Sequence, residues 1–193
     1  MPVKQPEVDP YNAVVFCADI PLTEEAQALL GEEMLVPEYL EALIAGQFYI
    51  EAAQVLGKLM PAREGVWWAA QCVASSFGKA PKPQEVRALR AAERWVTEMT
   101  EDSRYECFEA AKKARLGSPA NCVAMAAFLC GPSLAPKGED LVPPAPDFPA
   151  KMIAGTVMAA SLSSTPELSA AQLANFLEAG KVLYNQAIGT AVA

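Results

Sequence analysis

The apolar positions of this chain recur at helical spacing in one segment after another, and the two-residue alternation of a strand appears nowhere at length. Thr23-Glu24-Glu25-Ala26 sets an N-cap before two first-turn acids that suit the helix dipole, and Gly31 closes this short helix. A second helix starts at Pro37 and runs to Ala45 before Gly46, and a third spans Phe48 to Met60. Pro61 opens a fourth, Ala62 to Phe77, which Gly78 ends. Along it Val66, Ala70, Val73 and Phe77 form one stripe, while Trp68 and Cys72 lie nearly opposite. A helix apolar on two faces is either packed between layers or shows an aromatic anchor to a partner.

A fifth helix, Pro83 to Met99, turns Ala88, Ala92, Trp95 and Met99 inward and leaves Arg87, Arg90 and Arg94 on its far face, with Glu93 and Glu98 in reach for pairing. That face is a solvated surface or a basic docking stripe. Thr100-Glu101-Asp102-Ser103 caps a sixth helix through Leu116, with Cys107, Phe108, Ala111 and Ala114 inward and Gly117 as its stop. Ser118-Pro119 starts a seventh, whose residues Ala120 to Cys130 are apolar except for Asn121. With no polar face, it belongs at the centre of the fold.

Gly131 to Pro149 holds six prolines and predicts an extended strap over the surface, between helices seven and eight. Helix eight runs from Ala150 to Leu162. Helix nine runs from near Thr165 to Ile188 and presents Leu173, Phe176, Leu177, Gly180, Leu183 and Tyr184 on one face. Residues 1–20, with Pro2, Pro6 and Pro10, read as a partly ordered arm whose Ala13-Val14-Val15-Phe16-Cys17 run packs down or forms a short strand. The expected architecture is all-α: a single compact bundle of eight to nine short helices over residues 21–193. A chain of 193 residues can bury about 70% of the surface it exposes when unfolded, so it needs neither disulfides nor metals.

Composition narrows the chemistry. The chain has no histidine, which removes the Ser-His and Cys-His nucleophile pairs, the imidazole base and the commonest transition-metal ligand. The five cysteines have no CxxC spacing, and three sit among alanines and large apolar residues in predicted helices, as buried reduced thiols do. Ser76-Phe77-Gly78-Lys79 matches S-x-x-K, but the companion S-D-N and K-T-G elements are absent and Gly78 ends the helix between serine and lysine. No zinc, EF-hand or phosphate-loop spacing occurs, so no cofactor and no metal are expected. Cys130-Gly131-Pro132-Ser133 puts a thiol at a helix C-terminus, which disfavours a thiolate.

The net charge of −8 argues against nucleic acid as a partner. It is uneven: residues 1–60 carry ten carboxylates against Lys4 and Lys58, whereas residues 61–117 carry ten basic and eight acidic groups. The start lacks a signal-peptide core, and the longest apolar run, Cys122 to Cys130, is too short to span a bilayer, so a cytoplasmic location with no membrane contact is expected.

The order Pro37-Glu38-Tyr39-Leu40-Glu41-Ala42-Leu43, Ala52-Ala53-Gln54-Val55-Leu56, Pro61-Ala62-Arg63-Glu64-Gly65-Val66-Trp67-Trp68-Ala69, Ala91-Ala92-Glu93-Arg94-Trp95-Val96 and Ala126-Ala127-Phe128-Leu129-Cys130-Gly131-Pro132-Ser133-Leu134-Ala135-Pro136 resembles a family of uncharacterised bacterial all-helical proteins, over about residues 37–190. The resemblance implies genes near those of type VI secretion and an accessory role such as effector loading. It carries no catalytic or binding residue, and the chain departs from the family pattern after Leu129, where Cys130 replaces a more polar residue.

The sequence therefore points to a non-enzymatic adaptor or chaperone that binds another protein, a secretion component or effector. The alternative is an immunity protein that neutralises a toxin through its acidic N-terminal third. Candidate binding residues are the aromatics Tyr39, Tyr49 and Trp68 and the basic face Arg87, Arg90 and Arg94.

Overall fold

The computed structural model describes residues 11–162 and 165–191, and the helix boundaries within them fall where capping chemistry puts them. Ten helices and no strand occur among the described residues: α1 Ala13–Phe16, α2 Glu24–Gln27, α3 Val36–Ala45, α4 Tyr49–Leu59, α5 Ala62–Ser76, α6 Pro83–Glu98, α7 Glu101–Lys113, α8 Pro119–Leu129, α9 Phe148–Ser161 and α10 Pro166–Ala191. Thr23 Oγ1 accepts from the Ala26 N–H, Thr100 Oγ1 from Ser103 and Ser118 Oγ from Asn121, so each threonine or serine satisfies a first-turn donor. The fold is all-α, as the periodicity predicts.

Several boundaries differ from the sequence expectation. The 13–17 run packs down as a single turn of helix and not as a strand: Asn12 Oδ1 accepts from the N–H groups of Val14 and Val15, while Ala13 and Cys17 are buried. The prolines at 2, 6 and 10 lie outside the described residues. Met99 is 51% exposed and not inward, because it takes a left-handed conformation (φ 51°) that ends α6 and swings its side chain away. α7 stops at Lys113, where Ala114 turns extended, and Leu116 projects into solvent. α9 begins at Phe148, since Pro149 fits a first turn where no N–H is needed.

α8 lies at the centre, packed against α5, α6, α7 and α9. Its one strongly polar side chain, Asn121, is buried and tied on both sides: Nδ2 donates to the Ala111 carbonyl at 2.9 Å and Oδ1 accepts from the Gly117 N–H at 3.3 Å. α5 is enclosed by α6, α8, α9 and α10, which explains its two apolar faces. Trp68 fills the space under α10, and Gly180 permits the approach: a Cβ there would stand 2.7 Å from the indole.

The C-terminal end of α8 would leave carbonyls stranded in the interior, and Arg104 of α7 satisfies them. Its side chain is 1% exposed, and Nη1 donates to the carbonyls of Phe128 (2.9 Å) and Ser133 (3.0 Å). Nε and Nη2 grip the Glu101 carboxylate, each at 2.8 Å, so that the charge is balanced. The guanidinium also lies 4.5 Å from the Tyr105 ring centroid and 4.8 Å from that of Phe128.

This knot fixes the root of the strap. Ser133 Oγ accepts from the N–H groups of Ala135 and Val142, Leu134 donates to the Val142 carbonyl, and Tyr105 donates to the Ala135 carbonyl. The strap is therefore a loop folded back on itself, pinned at its root and exposed at Leu141 and Val142.

A Cβ on Gly131 would stand 2.2 Å from Arg104 Nε. Gly131→Ala is expected to lower stability by roughly 1–3 kcal/mol through overpacking. Arg104→Met is expected to lower it by about 3 kcal/mol, since the Ser133 carbonyl loses its Arg104 donor and the Phe128 carbonyl keeps only the Gly131 N–H at 3.4 Å. Urea denaturation at neutral pH measures both, and a Gly131→Ala variant as stable as the wild type would contradict this packing.

Candidate protein-binding surfaces

The six sequence-predicted residues fall in three separate places. Tyr39 and Trp68 are wholly buried. The Tyr39 hydroxyl donates to the Ala26 carbonyl at 2.9 Å, and burial pushes its pKa up to about 12. Trp68 Nε1 donates to the Phe176 carbonyl at 2.8 Å. Both act inside the core, where each large ring has found a partner for its polar atom, and neither offers a surface.

Tyr49 starts α4 and is half-buried beside Phe48, Ile50 and Leu173, at a shallow cleft of about 370 Å³ between α4, α9 and α10. Arg87, Arg90 and Arg94 are all exposed on the outer face of α6. Arg94 is held by Glu98 (2.7 Å) and by Glu106 of α7 (2.9 Å), whereas Arg87 and Arg90 make no ion pair among the described residues. An exposed pair such as Arg94–Glu98 contributes little to stability.

Trp67, passed over in the sequence for its neighbour, is the tryptophan at the surface. One residue turns a helix by about 100°, which carries position 67 from the core onto the side of α5 that also bears Gln71 and Ser75. Trp67 is 36% exposed and lines an open groove of about 580 Å³ between α5 and α10 with Ala179, Val182 and Leu183. Val182 is also exposed, and Gln71 and Gln186 are the groove's polar edges, so it carries no charge. The polar i, i+4 partners of Trp67 were the signal that could have identified it.

An open cavity of about 650 Å³ lies where α5 ends near the starts of α6 and α8, beside Ser75, Ser76, Lys82, Glu85 and Arg115. The S-x-x-K pattern is not assembled there. Ser76 Oγ donates to the Val73 carbonyl at 2.8 Å, and the backbone turns extended at Phe77 between the serine and Lys79. Arg115 faces Glu85 at 3.9 Å across the opening.

The thiols are held protonated. Burial raises Cys72, Cys107 and Cys130 to about 12 and Cys17 to about 11, and it raises Cys122 as well. All five are free. Among the described residues no group of three or more Cys, Asp or Glu is placed to hold a metal ion, and no helix is long and apolar enough to cross a membrane. Iodoacetamide at pH 8 is therefore expected to label the native thiols slowly and all five rapidly in denaturant, because thiolate is the reactive form. Rapid labelling of Cys17, Cys72 or Cys107, the three fully buried thiols, in the folded protein, located by mass spectrometry, would contradict the burial described here.

Comparison with known proteins places this bundle without assigning it an activity. No curated protein and no solved structure matches the chain. A family of unknown function, DUF6931, matches residues 39–183, from α3 into α10 and so most of the helical core. The span agrees with the resemblance to an uncharacterised helical family. The chain belongs to DUF6931.

Proposed function

We propose that this protein is a non-enzymatic binding module, an adaptor or chaperone, that receives apolar side chains of a partner protein in the groove between α5 and α10. The single observation that carries this reading is Trp67, a large aromatic held half in the open beside exposed Val182. Aromatic side chains at the centre of an apolar patch are the usual anchors of protein interfaces, and an open channel between two helices suits a helix or extended segment. Its floor is rigid, because Trp68 beneath is locked to the Phe176 carbonyl and to the close approach at Gly180. A rigid receptor loses little entropy on binding.

The reactive groups support the same reading. The thiols are held well above the range in which they ionise at neutral pH, and the hydroxyls of Ser75 and Ser76 donate to carbonyls of their own helix. An accessory role in type VI secretion, with a cytoplasmic location and an effector or secretion component as partner, extends this proposal and rests on the family resemblance alone.

Trp67→Ala tests it. With the wild-type chain as bait against the products of neighbouring genes, the variant is expected to lose roughly 30-fold in affinity for a captured partner. Its stability should fall by no more than about 1 kcal/mol, as for an exposed side chain. Arg87→Ala with Arg90→Ala should bind as the wild type does. A partner held equally by the Trp67 variant would overturn the proposal.

A further inference from the structure

A second surface, independent of the α5–α10 groove, lies where the N-terminal segment meets the loop before α3. Between residues 11 and 45 the chain has seven carboxylates, Asp19, Glu24, Glu25, Glu32, Glu33, Glu38 and Glu41, and no lysine or arginine. The rest of the fold neutralises two of them: Lys58 pairs with Asp19, and Lys181 pairs with Glu41. The other five are exposed and make no ion pair among the described residues.

Three of those five, Glu32, Glu33 and Glu38, lie at a seam that also carries exposed aliphatic residues. Residues 11–13 run antiparallel to residues 34–36: Ala13 donates to the Met34 carbonyl at 2.8 Å and Val36 to the Tyr11 carbonyl at 2.9 Å. Asn12 Nδ2 donates to the Glu32 carbonyl at 2.7 Å, and Glu38 Oε2 accepts from the Leu35 N–H at 3.0 Å. The seam thus sets the segment holding Glu32, Glu33 and Glu38 against the start of α1, and around it Val14 is 46%, Val15 49% and Leu35 41% exposed. Exposed aliphatic side chains on both segments of one seam, with three unpaired carboxylates within three residues of Leu35, match the composition of an interface with its charges still unpaired.

We propose that this patch binds a basic amphipathic segment of a partner protein, with an apolar side chain on Val14, Val15 and Leu35 and lysines or arginines against Glu32, Glu33 and Glu38. Charge complementarity selects this occupant. Residues 1–10 carry Glu7 and Asp9 against Lys4 and would add negative charge to the patch. A second copy of the chain brings a net charge of −8, which opposes self-association. Nucleic acid is repelled by the same five carboxylates.

The probe is a synthetic helical peptide of leucine and lysine at amphipathic spacing, labelled for fluorescence anisotropy and titrated with the full-length protein. Binding is expected, and it should weaken as the ionic strength rises from about 0.01 M to about 1 M, over which the screening length falls from about 30 Å to about 3 Å. Glu32→Gln with Glu33→Gln should weaken it roughly tenfold, since each rim charge contributes a modest amount. Val15→Ser with Leu35→Ser should do the same at unchanged ionic strength. All four positions are exposed, so these variants should fold, and circular dichroism checks that they do. Trp67→Ala should leave the peptide's affinity unchanged, which separates this surface from the groove. Equal binding by the glutamine pair, by the serine pair, or of spermine in place of the peptide would overturn the proposal. A light-scattering mass above the monomer that the glutamine pair abolishes would overturn it in favour of self-association.

Discussion

An eleven-residue helix whose one strongly polar side chain is Asn121 has to be covered over most of its surface, and the rest of this fold follows from meeting that requirement. Burying α8 removes most of its apolar surface from water, with only Pro119, Cys122 and Met125 left partly exposed, and this takes four neighbours, α5, α6, α7 and α9. The alanines along α8 let those neighbours come close. The cost falls at its ends, where backbone groups lose water without gaining helical partners. At the N-terminal end Ser118 and Asn121 supply the missing bonds. At the C-terminal end a carbonyl facing the interior needs a donor, and Arg104 provides it.

Arg104 shows how a buried charge can be tolerated. Its guanidinium has a carboxylate on one edge, two carbonyls on the other and aromatic rings nearby, so little of its hydrogen-bonding capacity is left unmet. Such a constellation is specific more than it is stabilising: a hydrophobic replacement of matched shape can be as stable in other settings, but here it would release the strap. Gly131 records the same constraint, because the turn after α8 passes so close to the guanidinium that no side chain fits. The strap root, α7 and the end of α8 are thus one unit, and the two surfaces proposed for partners lie elsewhere, on α5 with α10 and at the seam of residues 11–13 with 34–36.

Most of the bundle was legible in the sequence because its signals are local. Prolines at helix starts, Thr and Ser caps and the all-apolar run of α8 each act within a few residues, and boundaries missed by a few residues, as at Lys113 and Phe148, reflect turns that tertiary packing decides. What was hidden depended on helical phase. Arg104 lies three and seven residues before Cys107 and Ala111, so its spacing put it on the buried stripe, but a charged residue there reads as solvent-facing until the stranded carbonyls of Phe128 and Ser133 are seen. Trp67 and Trp68 are adjacent, and only the phase of α5 decides which ring is core and which is surface. The acidic excess before residue 45 was visible as a number; that part of it lies at one seam with Val14, Val15 and Leu35 required the pairing of two segments some twenty residues apart.

A closed, chemically quiet interior organised around α8 is the central claim, and native-state hydrogen exchange measures it most directly. The amides of α8 and the Arg104 turn of α7 are expected to exchange only through global unfolding, while those of α1, α2 and the strap tip near Gly138 exchange through local opening at a much lower free energy. Exchange of the α8 amides as fast as those of α1 would contradict the account.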